Sequence, residues 1–153
     1  MAAYEPRAIK GTGVTYATSP MGADHIAGNT IRLSLKHNAP EGQAALSQKA
    51  QYTVPIYDYL GLCLFSMGVL GAHREILCQL VNAQLGTGYG IEELQALARN
   101  TIQWERAFNQ AAGFTKVDDR LPEHFTETPN PAAENAVFDV PEDELDNVHQ
   151  DMA

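Results

Sequence analysis

Apolar residues recur at three- and four-residue steps through the middle of this chain, and no stretch alternates apolar with polar long enough to promise a sheet strand. Leu60, Cys63, Leu64, Met67, Leu70, Gly71, Leu77, Val81 and Leu85 follow the helical spacing, and Gly86 supplies a C-terminal stop. The spacing predicts one long helix from near Tyr59 to Leu85. A second is predicted from about Ile91 to Ala112, with Leu94, Leu97, Ala98, Ile102 and Phe108 as its apolar stripe and Gly113 at its end. The fold class that follows is all-α: a single irregular helical domain over residues 1–153.

The flanks carry weaker signals. Residues 1–20 are rich in Gly, Thr and Ser and read as loop, while 21–29 reads as a short helix interrupted by glycine. Pro40 suggests a helix start, with Ala44, Ala45, Leu46 and Ala50 along it and a stop before Pro55. Asp118 to Pro122 reads as a turn, Pro129 and Pro131 as loop, and Pro141 as the opening of a short acidic helix.

Charge narrows the function classes. The formal net charge is −9, and residues 134–153 carry seven acids with no Lys or Arg. This acidic tail, 134–153, reads as a solvated face on a terminal helix. No basic stripe exists to displace counterions, so nucleic acid is excluded as a partner. No run approaches the ~20 apolar residues of a membrane span, and the first residues lack the pattern of a signal peptide. A soluble, cytoplasmic protein is expected. The two cysteines, Cys63 and Cys78, fall on the predicted long helix about 22 Å apart at its rise per residue. They are too far apart for a disulfide or a shared metal, which fits a reducing compartment.

Three segments offer chemistry, each with a plainer reading beside it. In Asp58-Tyr59-Leu60-Gly61-Leu62-Cys63, Asp58 can cap a helix and Cys63 lies at its mouth, where the local field favours a thiolate. Gly61 would let another group approach the backbone. An ordinary capped helix with a buried Cys explains the same residues. In residues 16–25, Tyr-Ala-Thr-Ser-Pro-Met-Gly-Ala-Asp-His, the imidazole of His25 beside Asp24 can polarise a carbonyl or move a proton. A surface His satisfies that pattern too. The third segment, Glu105-Arg106-Ala107-Phe108-Asn109 with Gly113-Phe114, Asp118-Asp119 and Leu121-Pro122, reads as core and connection. His37, His73, His124 and His149 have no comparable context, and Cys78 reads as a small core residue.

Taken in order over residues 14–129, these three segments resemble the C-terminal region of the aldehyde:ferredoxin oxidoreductase family of tungsten- or molybdenum-pterin enzymes. The resemblance implies that Cys63 is the last of four thiolate ligands to a [4Fe–4S] cluster, and that Asp58, Gly61 and Leu62 meet a pterin of the bis-pterin cofactor. It implies that His25 lies by the metal, close to the aldehyde oxygen. The implied reaction is oxidation of an aldehyde to a carboxylic acid, with electrons passed to ferredoxin. The chain lacks the Cys-x-x-Cys-x-x-x-Cys run that brings the other three thiolates, and the pterin-cradling sheet domain. It therefore reads as a C-terminal fragment, incomplete alone, whose missing N-terminal cofactor-binding portion comes from the same parent chain or a split subunit. No cluster or pterin is expected on the isolated chain, and self-association through the uncovered apolar surface is. Two other readings stand beside this one: a non-catalytic helical remnant that acts as a binding or structural module, and a relative that reduces acids or acyl thioesters.

Overall fold

The computed structural model describes residues 3–33 and 36–150. The first helix, α1 (Lys10–Thr18), falls where loop was expected, and all of its residues are buried. It has no apolar stripe because no face of it meets water. Its hydroxyls are satisfied internally. Thr12 Oγ1 lies 3.1 Å from Thr30 Oγ1, Thr15 Oγ1 donates to the Gly28 carbonyl at 2.7 Å, and Thr18 Oγ1 donates to the Val14 carbonyl at 2.8 Å. Two glycines admit the close packing: a Cβ at Gly11 would stand 2.7 Å from Gln43 Oε1, and one at Gly13 would stand 2.6 Å from the Phe138 ring. Tertiary burial, not local propensity, makes this helix.

Residues 21–29 are turns and bends, not the short helix expected. Asp24 Oδ1 accepts from Ile26 N at 2.9 Å, a local bond that competes with the helical ladder. Helix α2 (Gln43–Gln51) follows as anticipated, and α3 (Val54–Tyr59) starts with Pro55 in its first turn. The predicted long helix is broken. It is divided among the end of α3, a 3-10 turn (Leu64–Ser66), α4 (Met67–Leu70) and α5 (Arg74–Leu85). Gly61, Gly68 and Gly71 lie in this stretch, and each glycine costs a helix interior about 1 kcal/mol relative to Ala. Leu60, Leu62, Met67 and Leu70 still reach the core, but from turns.

Helix α6 (Ile91–Ala111) agrees with the sequence to a residue at its end. Leu94, Ala98 and Ile102 are its buried face, whereas Leu97 and Phe108 from the expected stripe are exposed. Two short helices complete the chain, α7 (His124–Glu127) and α8 (Glu142–Asn147), with a 3-10 turn (Pro131–Ala133) between them. Among the described residues the β pairing is one isolated antiparallel bridge, Asn130 with Ala136, so the all-α class holds. No single helix among them is long and apolar enough to cross a membrane.

Two hydrophobic clusters hold these elements. One joins Ile56, Tyr57, Leu77, Val81, Leu94 and Ala98 of α3, α5 and α6. The other joins Val14 and Ala44 to Phe138, Val140, Leu145 and Val148. The acidic tail is therefore part of the core, not only a solvated face. Glu142 and Asp143 do face water and Glu144 is half-buried, but Asp139 pairs with the buried ammonium of Lys10, and Asp146 accepts from Arg120 at 2.8 Å. Apolar residues at 138, 140, 145 and 148 outweigh the acids between them.

Candidate functional site

The Asp58–Cys63 segment closes a helix where the sequence reading had it open one. Gly61 takes the left-handed conformation (φ 66°) just after the last turn of α3. Leu62 N donates to the Tyr57 carbonyl at 2.9 Å, and Gly61 N donates to the Asp58 carbonyl at 3.0 Å. This pair of bonds is a Schellman ending, and it demands a residue that tolerates positive φ. Asp58 thus belongs to the end of α3 and caps no helix N-terminus. Among the described residues nothing lies within 4 Å of a Cβ added at Gly61, so backbone conformation, not a close neighbour, explains the glycine. Gly61→Ala is expected to cost about 1–2 kcal/mol, the penalty for a left-handed L-residue. Urea denaturation of the two proteins measures it, and equal midpoints would show that the turn does not need the left-handed state.

Beyond this turn, Cys63 is extended (φ −63°, ψ 133°) and exposed. It still precedes helical turns, those of Leu64–Ser66 and α4, and Ser66 N and Oγ donate to its carbonyl at 2.9 and 2.6 Å. The helix behind it is short, not the long one expected. Cys78 is half-buried against the α3–α5–α6 cluster, the packing role anticipated for it.

His25 sits in the loop after α1 with 42% of its side chain exposed. Its Nδ1 is 3.8 Å from Asp24 Oδ1, and its ring lies 5.5 Å from that of Tyr4. The root of this loop is held from α6. Arg106 Nη1 donates to the Thr18 carbonyl at 2.9 Å while its Nη2 donates to Asp119 at 2.7 Å, and Asn109 Nδ2 donates to the Pro20 carbonyl at 2.9 Å. His149 Nε2 lies 3.1 Å from the same Thr18 carbonyl. Arg106, Asn109 and His149 had no assigned role in the sequence. The available signal was the i, i+3 spacing of Arg106 and Asn109, which puts both on one helix face; nothing local marked His149.

The three segments meet at a cavity of about 290 Å³ between the clusters. Pro20 and Met21 come from the first segment, Asp58 and Tyr59 from the second, and Glu105 from the third, with Val54 and Ile102 as apolar wall. His25 and Cys63 are not in its lining. Burial raises the Asp58 carboxyl above its ordinary value, and the charge of Asp24 adds to this. Burial likewise raises Glu105, with the charge of Asp58 second. The Tyr59 phenol is pushed up to about 12 by burial and donates to the Leu94 carbonyl at 2.8 Å, tying α3 to α6. Carboxyls that repel one another at a cavity rim favour a ligand that presents N–H donors.

These residues can be set against the cofactors implied above. The Asp58 carboxyl, on an exposed residue, accepts no hydrogen bond from the described residues, which suits an acceptor for the N–H groups of a pterin ring. Cys63 offers one accessible thiol. No group of three or more His, Cys, Asp or Glu that could hold a metal ion occurs among the described residues.

Comparison with known proteins bears on the same residues. The chain matches the family model described as aldehyde ferredoxin oxidoreductase, domains 2 and 3, over residues 1–151. It is 32% identical over 144 residues to the tungsten-containing aldehyde ferredoxin oxidoreductase of Pyrococcus furiosus and 31% identical over 144 residues to that of Thermococcus kodakarensis. Each alignment covers 87% of this chain and 23% of the relative, so the chain spans less than a quarter of the length of these curated relatives. The family model extends over nearly every residue, the helical architecture agrees with the resemblance, and the three motif segments converge in space: the chain belongs to the aldehyde ferredoxin oxidoreductase family.

Proposed function

We propose that this chain is the C-terminal helical portion of a tungsten- (or molybdenum-) pterin and [4Fe–4S] oxidoreductase that oxidises aldehydes to carboxylic acids and passes electrons to ferredoxin. Convergence of three separate segments on one carboxyl-rimmed cavity carries the reading, since core packing alone does not require it. When bound, the metal–pterin group supplies the two-electron chemistry, in which an aldehyde and water become a carboxylic acid, two protons and two electrons. The chain's residues orient and position. Asp58 accepts from the pterin, with Gly61 and Leu62 fixing the turn beside it. Cys63 donates one thiolate to the cluster. His25 hydrogen-bonds the aldehyde oxygen or moves a proton at its imidazole.

The N-terminal cofactor-binding portion is the partner this reading requires. Its support is the apolar surface the chain leaves open. Trp104 and Phe108 on α6 are 73% and 75% exposed, Phe65 is 84% exposed, and Met21 stands beside the first two at a second cavity. Patches of this kind mark contact surfaces more often than free ones. The two thiols are unpaired, as a reducing cytoplasm would keep them.

His25→Asn in the assembled enzyme tests the catalytic assignment. Turnover per metal atom should fall by at least about 10²-fold, the lower range for a general acid–base group. Metal and cluster content should stay constant. Unchanged turnover per metal, with lower cofactor content or melting temperature, would remove His25 from the catalytic residues and make it a brace of its loop.

A further inference from the structure

The loop that carries His25 hangs between two anchors. At its far end, Thr15 Oγ1 donates to the Gly28 carbonyl at 2.7 Å and Thr30 N donates to Thr12 Oγ1 at 3.3 Å. At its near end, α1 stops at Thr18 and Ser19 turns extended, so no following helical turn supplies N–H groups and the Thr18 and Pro20 carbonyls need donors from outside the helix. Helix α6 provides them through Arg106 and Asn109, three residues apart. Arg106 is itself fixed, because its other nitrogen is held by Asp119, whose side chain is 19% exposed. A guanidinium bridges two acceptors in fixed geometry; an ammonium is a point charge without that fork. Between the anchors, the bonds from Ile26 N to Asp24 Oδ1 (2.9 Å) and Ala27 N to the Asp24 carbonyl (3.3 Å) shape the tip around His25.

We propose that Arg106 and Asn109 are positioning residues: they clamp the Thr18 and Pro20 carbonyls to α6 and so set where the His25 imidazole stands. The inference rests on the catalytic reading of His25 only for its consequence, since the clamp itself is a property of this chain. Asp119 acts through Arg106. Glu105, the residue before Arg106, lines the cavity and takes no part in the clamp.

The test uses NMR and amide exchange on the 153-residue chain, without cofactor. In Arg106→Leu and in Asn109→Leu, the Ile26 and Ala27 amides should exchange at least about tenfold faster, the factor set by losing one such hydrogen bond. The His25 ring protons should also leave the shifts that the Tyr4 ring imposes at 5.5 Å. Asp119→Asn should reproduce the Arg106→Leu pattern at smaller size, and Arg106→Lys should restore part of it. Amides of α2 and α6 should keep their protection. Leu94→Ala, a buried change in the other cluster, controls for general loss of stability. Unchanged loop exchange and His25 shifts in both leucine variants would overturn the proposal, and so would equal changes in Leu94→Ala. If Arg106→Leu does not fold, Asn109→Leu and Arg106→Lys decide the matter by the same readouts. Should the clamp variants move the loop while His25→Asn leaves turnover per metal intact, the catalytic reading fails and the clamp stands.

Discussion

Cys63→Ala, in an enzyme assembled with its N-terminal portion, is expected to lose the [4Fe–4S] cluster and with it electron delivery to ferredoxin. The thiol is exposed on an extended residue whose carbonyl is pinned by Ser66 and whose preceding turn is fixed by the bond from Leu62 N to the Tyr57 carbonyl. It has the access and the fixed backbone that a cluster ligand needs. A cubane takes four protein thiolates, so three remaining cysteines should hold it poorly or as a degraded form. Cys78→Ala is the internal control. That residue packs against the α3–α5–α6 cluster and should cost only stability, on the order of 1 kcal/mol. Visible absorbance with iron and sulfide analysis reads the outcome independently of turnover. Equal loss of cluster in the two variants would refute the assignment of Cys63.

The second large effect concerns stability and lies in the acidic segment. Phe138 is 3% exposed and packs with Val14, Ala44, Val140, Leu145 and Val148, its ring against the face of α1 that Gly13 leaves open. Phe138→Ala removes a large side chain from a site walled by helices, and such truncations cost about 3–5 kcal/mol. Against a total of about 5–15 kcal/mol, that is a large share. For a chain of this size the melting temperature should fall by roughly 6–20 °C. Asp143→Ala, on an exposed position of α8, should stay within about 0.5 kcal/mol. Calorimetry separates the two cases. A Phe138→Ala protein that melts like its parent would mean that the segment is the solvated tail its charge suggests.

How far the sequence could be read depended on what each element leans on. Helix α6 was legible because it is long, keeps Leu94, Ala98 and Ile102 on one face, and ends at Gly113. Helix α1 was not: Lys-Gly-Thr-Gly-Val-Thr-Tyr-Ala-Thr is a poor helix by propensity, and only contacts from Thr30, Gln43 and Phe138 make it one. The break after α3 went unseen because Leu60, Leu64, Met67 and Leu70 fit helical spacing, while the deciding term is the positive φ at Gly61, which periodicity does not register. At the site, the residue types of Asp58, Cys63 and His25 drew notice on chemical grounds. The meeting of Pro20, Asp58 and Glu105 did not follow from spacing, since it arises through the packing of α3 on α6 and of the loop on both, and Cys63 and His25 lie outside that lining.

The two hydrophobic clusters differ in how much chain each must wait for. One is built from residues 56 to 98, close together in sequence, whereas the other needs Val14 and Val148 at once. Local contacts close quickly and distant ones slowly. On a ribosome, the α3–α5–α6 cluster is complete while Phe138, Val140, Leu145 and Val148, the late partners of α1, are still unsynthesised, and Lys10 has no Asp139 to meet. The contacts between α1 and residues 138–148, with the His25 loop behind α1, therefore form after those of the α3–α5–α6 cluster. A translation arrest between Ala98 and Phe138 would leave a chain with one finished core and a second that lacks half of its side chains.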